Sequence, residues 1–155
     1  MKNFAKRAIL VSALLLWTAF IFSNSLQSGE ASNAQSESVK DAANTLLVWL
    51  GGEGLLVGGF IRTLAHFAEF CLLGALLALL PHTFDIQKKH AYVFALLAAF
   101  AVAIIDECIQ SLVPGRTPSI SDVLVDFAGS TTGVAFVLLC LFLYMRCKEA
   151  KQQRK

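Results

Sequence analysis

Four long apolar stretches, separated by polar segments, predict membrane-spanning helices. They run from about Ala8 to Phe22, from about Thr63 to Leu80 with Pro81 as the stop, from about Ala91 to Ile109, and from about Val123 to Tyr144. Each approaches the ~20 residues needed to cover ~30 Å of hydrocarbon. In the first connecting segment, residues 28–40 are rich in Ser, Glu, Asn and Gln and read as irregular or partly helical. Val39, Ala42, Ala43, Leu46, Leu47 and Leu50 then recur at helical spacing before Gly51-Gly52, which predicts a short amphipathic helix on the membrane surface. The expected fold is all-α: an integral-membrane four-helix bundle with a short amphipathic helix in its first outer loop. Residues 1–145 form the membrane domain and 146–155 a basic tail.

Ionisable residues interrupt the spans only in clusters: His66 with Glu69, Asp106 and Glu107 with Gln110, and Asp122 with Asp126. Four crossings bring all three clusters to the same end of the bundle. A charge at mid-bilayer costs about 2.5–3.5 kcal/mol, so such groups face a bundle interior and mark a candidate site. His66 and Glu69 share a helix face, as do Asp106 and Gln110. Glu107 is rotated about 100° from Asp106. Ser119-x-x-Asp122 reads as a capping box opening the fourth span. Asp126 lies a turn deeper, where capping does not explain it.

Arg116 sits in Pro114-Gly115-Arg116-Thr117-Pro118, a loop made rigid by two prolines and a glycine. An arginine suits bidentate pairing with carboxylate or phosphate, and Glu107 or Asp126 is its expected partner. His66, Glu69, Glu107, Arg116 and Asp126 are expected to line one cavity.

Composition agrees with membrane embedding. Hydrophobic residues make up 56% of the 155 residues and charged ones 15%, where a soluble domain holds about a quarter charged. The net charge of +2 is small. Its basic residues flank the spans and form no patch interleaved with aromatics, which argues against a nucleic-acid partner. Lys2, Lys6, Arg7, Lys88, Lys89, Arg146, Lys148, Lys151, Arg154 and Lys155 fall on one side, and Lys40, Arg62 and Arg116 on the other. The positive-inside rule then puts both termini in the cytoplasm. A cleaved signal peptide is the alternative for the first span. The four cysteines show no metal-binding spacing and are expected as buried, reduced packing residues. There is no repeat of the transporter kind.

Three stretches carry a resemblance: Phe22-Ser-Asn-Ser-Leu-Gln-Ser, His66-Phe-Ala-Glu-Phe, and Asp106-Glu-Cys-Ile-Gln-Ser-Leu-Val-Pro-Gly-Arg-Thr-Pro-Ser-Ile-Ser-Asp122-Val-Leu-Val-Asp126. Over roughly Trp17 to Gly133 the chain resembles the VanZ-like family of multi-span bacterial membrane proteins. It departs from the pattern at Asp126, where many relatives carry Asn. The resemblance adds Ser23 and Asn24 to the candidate site. It also implies a link to low-level tolerance of teicoplanin-type glycopeptides, the property of the family's namesake.

Two function classes follow. In the first, an outward-facing site binds, and as a further step modifies, the headgroup of an envelope lipid, a lipid-linked cell-wall precursor or a lipoglycopeptide. His66, Glu69, Asp106, Glu107 and Asp126 would then act as acid/base groups or hold a divalent cation. Ser23, Asn24, Gln110, Arg116 and Asp122 would contact the ligand. These residue types suit phosphate and hard cations, but no Ser-x-x-Lys, His-Glu-x-x-His or Gly-x-Ser-x-Gly motif names a reaction. In the second class, the polar network only assembles the bundle or binds a drug or a partner protein.

Overall fold

The computed structural model describes residues 2–54, 56–84 and 86–153 as five helices. They are α1 (Lys2–Ser25), α2 (Gly29–Trp49), α3 (Gly58–Thr83), α4 (Lys88–Gln110) and α5 (Ile120–Gln153). Arg154 and Lys155, the end of the predicted basic tail, lie outside the described residues, as do Met1, Leu55 and Asp85. Helices α1, α3, α4 and α5 are long and apolar enough to cross a membrane. Their outer faces expose Ile9, Leu15, Leu16, Phe94, Leu97, Phe136, Leu139 and Phe142. An apolar surface of that extent is unsuited to water and fits a lipid-facing girdle. The chain is a multi-pass membrane protein.

Small residues set the closest crossing, that of α3 with α5. A Cβ added at Gly74 would collide with the carbonyl of Ser130, one at Gly129 with that of Phe67, and one at Gly133 with that of Cys71. Close backbone approach at small residues is how membrane helices gain contact where lipid removes the hydrophobic drive between them. Around this seam, Ile21, Phe70, Leu73 and Ala103 form the buried apolar core, with Trp17, Phe22 and Val123 packed against it. Trp17 Nε1 donates to the Glu69 carbonyl at 2.9 Å, tying α1 to α3.

Three elements run past their predicted ends. Helix α3 continues through Pro81 to Thr83. Pro81 stands in the last turn, where its ring and missing N–H disturb only one intrahelical bond, and its carbonyl accepts from Ile86 N at 3.1 Å beyond the helix end. Helix α5 has 34 residues, about 51 Å at 1.5 Å per residue, so the basic tail continues the span as helix. The helix in the first connection begins at Gly29, ten residues before the predicted apolar repeat. Ser28 caps it, accepting from Ala31 N at 3.3 Å. Gly29 N donates to the Pro114 carbonyl at 3.2 Å, which docks its first turn on the α4–α5 loop. Asn44 exchanges two hydrogen bonds with Leu56, at 3.2 and 3.0 Å, fixing the far end.

The cysteines differ from expectation. Cys71 is half-buried, and Cys108, Cys140 and Cys147 are exposed free thiols. A thiol behaves as a small apolar group, so lipid-facing positions accept it without burial in protein.

Candidate functional site

The end of α1, the first turns of α3 and α5 and the last turn of α4 meet at one end of the bundle. Asp106 is fully buried there. Its Oδ1 accepts from Ser25 Oγ at 2.5 Å, and its Oδ2 from Gln110 Nε2 at 2.8 Å. Gln110 Oε1 in turn accepts from Arg116 Nη1 at 2.9 Å and Arg62 Nη2 at 3.4 Å. A continuous polar chain thus links the Arg116 loop to a carboxylate inside the bundle.

The loop holds Arg116 by its backbone. Val113 to Arg116 make a turn closed by Arg116 N to Val113 O at 3.2 Å. Pro114 and Gly115, with Gly115 at φ 76°, match the central positions of a type II turn. Arg116 Nε donates to the Gln27 carbonyl at 3.2 Å, and Nη2 to the Asn24 carbonyl at 3.1 Å. Its three acceptors are all uncharged. Partial burial, reinforced by the nearby Arg62 charge, draws the guanidinium below its ordinary value, though an arginine remains protonated at neutral pH.

Asp126 stands differently. It is fully buried on α5, and among the described residues neither carboxylate oxygen finds a hydrogen-bond partner. His66 Nδ1 lies 3.5 Å from its Oδ1. His66, Asp106 and Asp126 each present a ligand-type atom, and all three atoms lie within 4.8 Å of one another. Glu69, one turn along α3 from His66, accepts from Asn24 Nδ2 at 2.8 Å.

Above this layer is a cavity of about 140 Å³, lined by Asn24, Arg62, His66, Glu69 and Arg116 from the bundle and by Ser32, Gln35 and Ser36 of α2. Helix α2 therefore turns hydroxyl and amide groups toward the cavity, while Leu46, Trp49 and Leu50 at its far end stay exposed. A smaller pocket shares Arg62 and His66 and adds Asp122.

Residues 10–144 match the family described as VanZ/LLP1. The chain belongs to the VanZ/LLP1 family. No curated protein and no solved structure matches it.

In this VanZ/LLP1 chain the predicted residues separate into three groups. His66, Glu69, Asn24 and Arg116 line the cavity, and Asp122 lines the pocket beside it. Asp106, Gln110 and Asp126 lie buried beneath or beside the cavity and do not line it. The expectation of one cavity lined by Glu107 and Asp126 together with the others is therefore corrected. Glu107 faces the start of α5, where its Oε2 accepts from Ser119 N at 2.8 Å. Ser23 is exposed and, among the described residues, bonds its own helix, donating to Phe20 O at 3.1 Å.

Two predicted pairings also change. Arg116 meets no carboxylate among the described residues, because Asp106 is taken by Ser25 and Gln110, Glu107 by Ser119, and Asp122 by Arg62 at 3.8 Å. The capping box is not made either. The Ser119 hydroxyl lies 2.5 Å from Ser121 Oγ, and Glu107 from the neighbouring helix satisfies the Ser119 N–H.

Sequence reading missed three participants. Ser25 stands in the quoted Phe22–Ser28 run, where its spacing from Asn24 says nothing of which one turns inward. Arg62 registers in the sequence only as a flanking charge, yet lines both pockets. Gln27 contributes its backbone carbonyl, for which no sequence signal exists.

Proposed function

We propose that this protein resides in the bacterial cell membrane with both termini cytoplasmic, and that its cavity opens outward and binds the anionic headgroup of an envelope lipid or a lipid-linked cell-wall precursor. The observation that carries this reading is Arg116. A guanidinium is held on the cavity wall by three neutral acceptors, so its charge is not cancelled by a bound carboxylate. It has five N–H donors, which leaves donors for a ligand. Arg62 lines the same cavity, and its nearest carboxylate contact, Asp122, is long at 3.8 Å. Two guanidiniums on one small cavity fit a phosphate, which arginine binds through paired N–H groups. The distribution of Lys and Arg along the chain supports the orientation.

The test is binding of short-chain phosphatidylglycerol and of polyprenyl phosphate to the purified protein in neutral detergent, against phosphatidylcholine. Anionic ligands should bind at least tenfold tighter, and Arg116→Gln and Arg62→Gln should each remove most of that preference. Equal binding of anionic and zwitterionic lipid ends the reading. For orientation, a cysteine-free background with Gln35→Cys should label from outside intact cells, and Gln87→Cys should not. Teicoplanin tolerance extends the same proposal: expression in a susceptible Gram-positive host should raise the inhibitory concentration, and Arg116→Gln should cancel the rise.

A further inference from the structure

We propose that His66, Asp106 and Asp126 form a binding site for one divalent cation of the Mn²⁺/Zn²⁺ class, set beneath the cavity. The three residues come from three different helices, α3, α4 and α5, so the convergence is a product of the fold and not of local sequence. Their ligand-type atoms lie within 4.8 Å of one another.

The second observation is Asp126 itself. A fully buried carboxylate with both oxygens unbonded is costly, and buried polar groups in native proteins nearly always have a partner. His66 Nδ1 is also buried and makes no hydrogen bond, although it stands 3.5 Å from Asp126 Oδ1. That separation is too long for a good hydrogen bond. Two donors bound at about 2.0–2.1 Å to one tetrahedral ion stand about 3.3–3.4 Å apart. A shared cation therefore satisfies both groups at close to the spacing they already hold. Asp106, with its ligand atom within 4.8 Å of the other two, would move inward to complete the set.

Asp106 is prepared for that role. Ser25 and Gln110 donate to its two oxygens, the kind of outer contact that orients metal-binding carboxylates. Each oxygen keeps a further lone pair for an ion. One imidazole with two carboxylates suits Mn²⁺ or Zn²⁺, whereas Ca²⁺ demands six to eight oxygens. Three protein ligands leave at least one coordination position free. His66 also lines the cavity, so a cation here lies next to the space offered to a ligand. The inference goes beyond headgroup binding and stands without it.

Mn²⁺ is the probe, because the free thiols Cys71, Cys108, Cys140 and Cys147 compete for Zn²⁺. The full chain is purified in detergent, stripped with EDTA, dialysed and titrated with Mn²⁺ alone, free ion being read by electron paramagnetic resonance. About one Mn²⁺ per chain should bind saturably. Asp126→Asn and His66→Gln should each weaken binding at least tenfold, and Glu149→Gln, at the far end of α5, should change it less than twofold. A measurement on the unmodified chain covers variants that do not fold: Mn²⁺ should broaden the ring resonances of His66 before those of His82 and His90. Absence of saturable binding below millimolar Mn²⁺, equal affinity in the triad variants, or earlier broadening at His82 or His90 overturns the proposal. No lipid is present, so these outcomes bear on the cation and leave the headgroup reading untouched.

Discussion

Along the α3–α5 seam, Gly129 and Gly133 of α5 lie against the α3 backbone and Gly74 of α3 lies against the Ser130 backbone, with no room for a Cβ at any of the three glycines. Asp126, one turn before Gly129 on α5, holds a carboxylate that no hydrogen bond among the described residues satisfies. The first region is arranged for contact: side chains are absent so that two helices can touch. The second keeps a charged group in a dry place without finishing its bonding. Neighbouring turns of one helix thus follow opposite rules, and stability and function should separate when each is changed.

The seam should give the largest loss of stability. Gly133→Val puts a branched side chain into the Cys71 carbonyl. Overpacking by even a methylene costs about 1–3 kcal/mol, and here the obstacle is backbone, which cannot rotate aside. The variant should lose monodispersity or drop sharply in melting temperature in detergent. Gly133→Ala should show the same effect in weaker form. A Val variant as stable as the parent would mean that α3 and α5 do not cross here.

Next comes Asp106, the satisfied member of the buried pair. Asp106→Ala strands Gln110 Nε2, an orphaned buried donor worth about 1–3 kcal/mol, and leaves Ser25 Oγ only the Ile21 carbonyl at 3.3 Å. It also loosens Gln110, the residue that holds Arg116 Nη1. Melting should fall substantially, and anionic-lipid binding should fall with it. Ser25→Ala removes one of the two donors and should cost less than half as much.

The contrast between these regions was only partly legible in the sequence. Hydropathy alone places the four spans, since length and apolar content decide membrane crossing. The clustering of His66, Asp106 and Asp126 at one end follows from antiparallel connection. The seam went unread, although Gly129-x-x-x-Gly133 has a small-residue spacing that brings membrane helices close. What the sequence could not give was rotation about each helix and competition among partners. Glu107 turns to the Ser119 N–H and Arg116 to carbonyls and an amide, because every nearby acceptor has several possible donors. The early start of α2 was hidden for a similar reason. Residues 28–38 lack an apolar stripe, and a tertiary bond from Gly29 to Pro114 orders them.

Asp126→Asn tests the unsatisfied member. With no metal added, removing a buried charge that has no hydrogen bond should change stability by less than about 1 kcal/mol, or raise it. Any stabilisation of the parent protein by Mn²⁺ should vanish in the variant. A large loss of stability in EDTA would show instead that the His66 contact is an ion pair that supports the bundle.

Arg116→Lys should have the smallest effect on stability and is the sharpest probe of the boundary between the two regions. Arg116 bonds two backbone carbonyls and Gln110 with three different nitrogens. Lysine keeps the positive charge and has three donors, but they radiate from one nitrogen and cannot reach acceptors spread around a planar fork. One or two of the bonds should survive, so the melting temperature should fall by only a few degrees. Phosphate recognition depends on the same fork, and its loss should weaken anionic-lipid binding about tenfold, or about 1.4 kcal/mol. The comparison with Arg116→Ala makes the result decisive. If Lys recovers stability relative to Ala while lipid binding stays weak, Arg116 belongs to the ligand-binding region. If Lys recovers both together, the guanidinium serves only to fasten the α4–α5 loop to the end of α1, and the anion site must lie elsewhere.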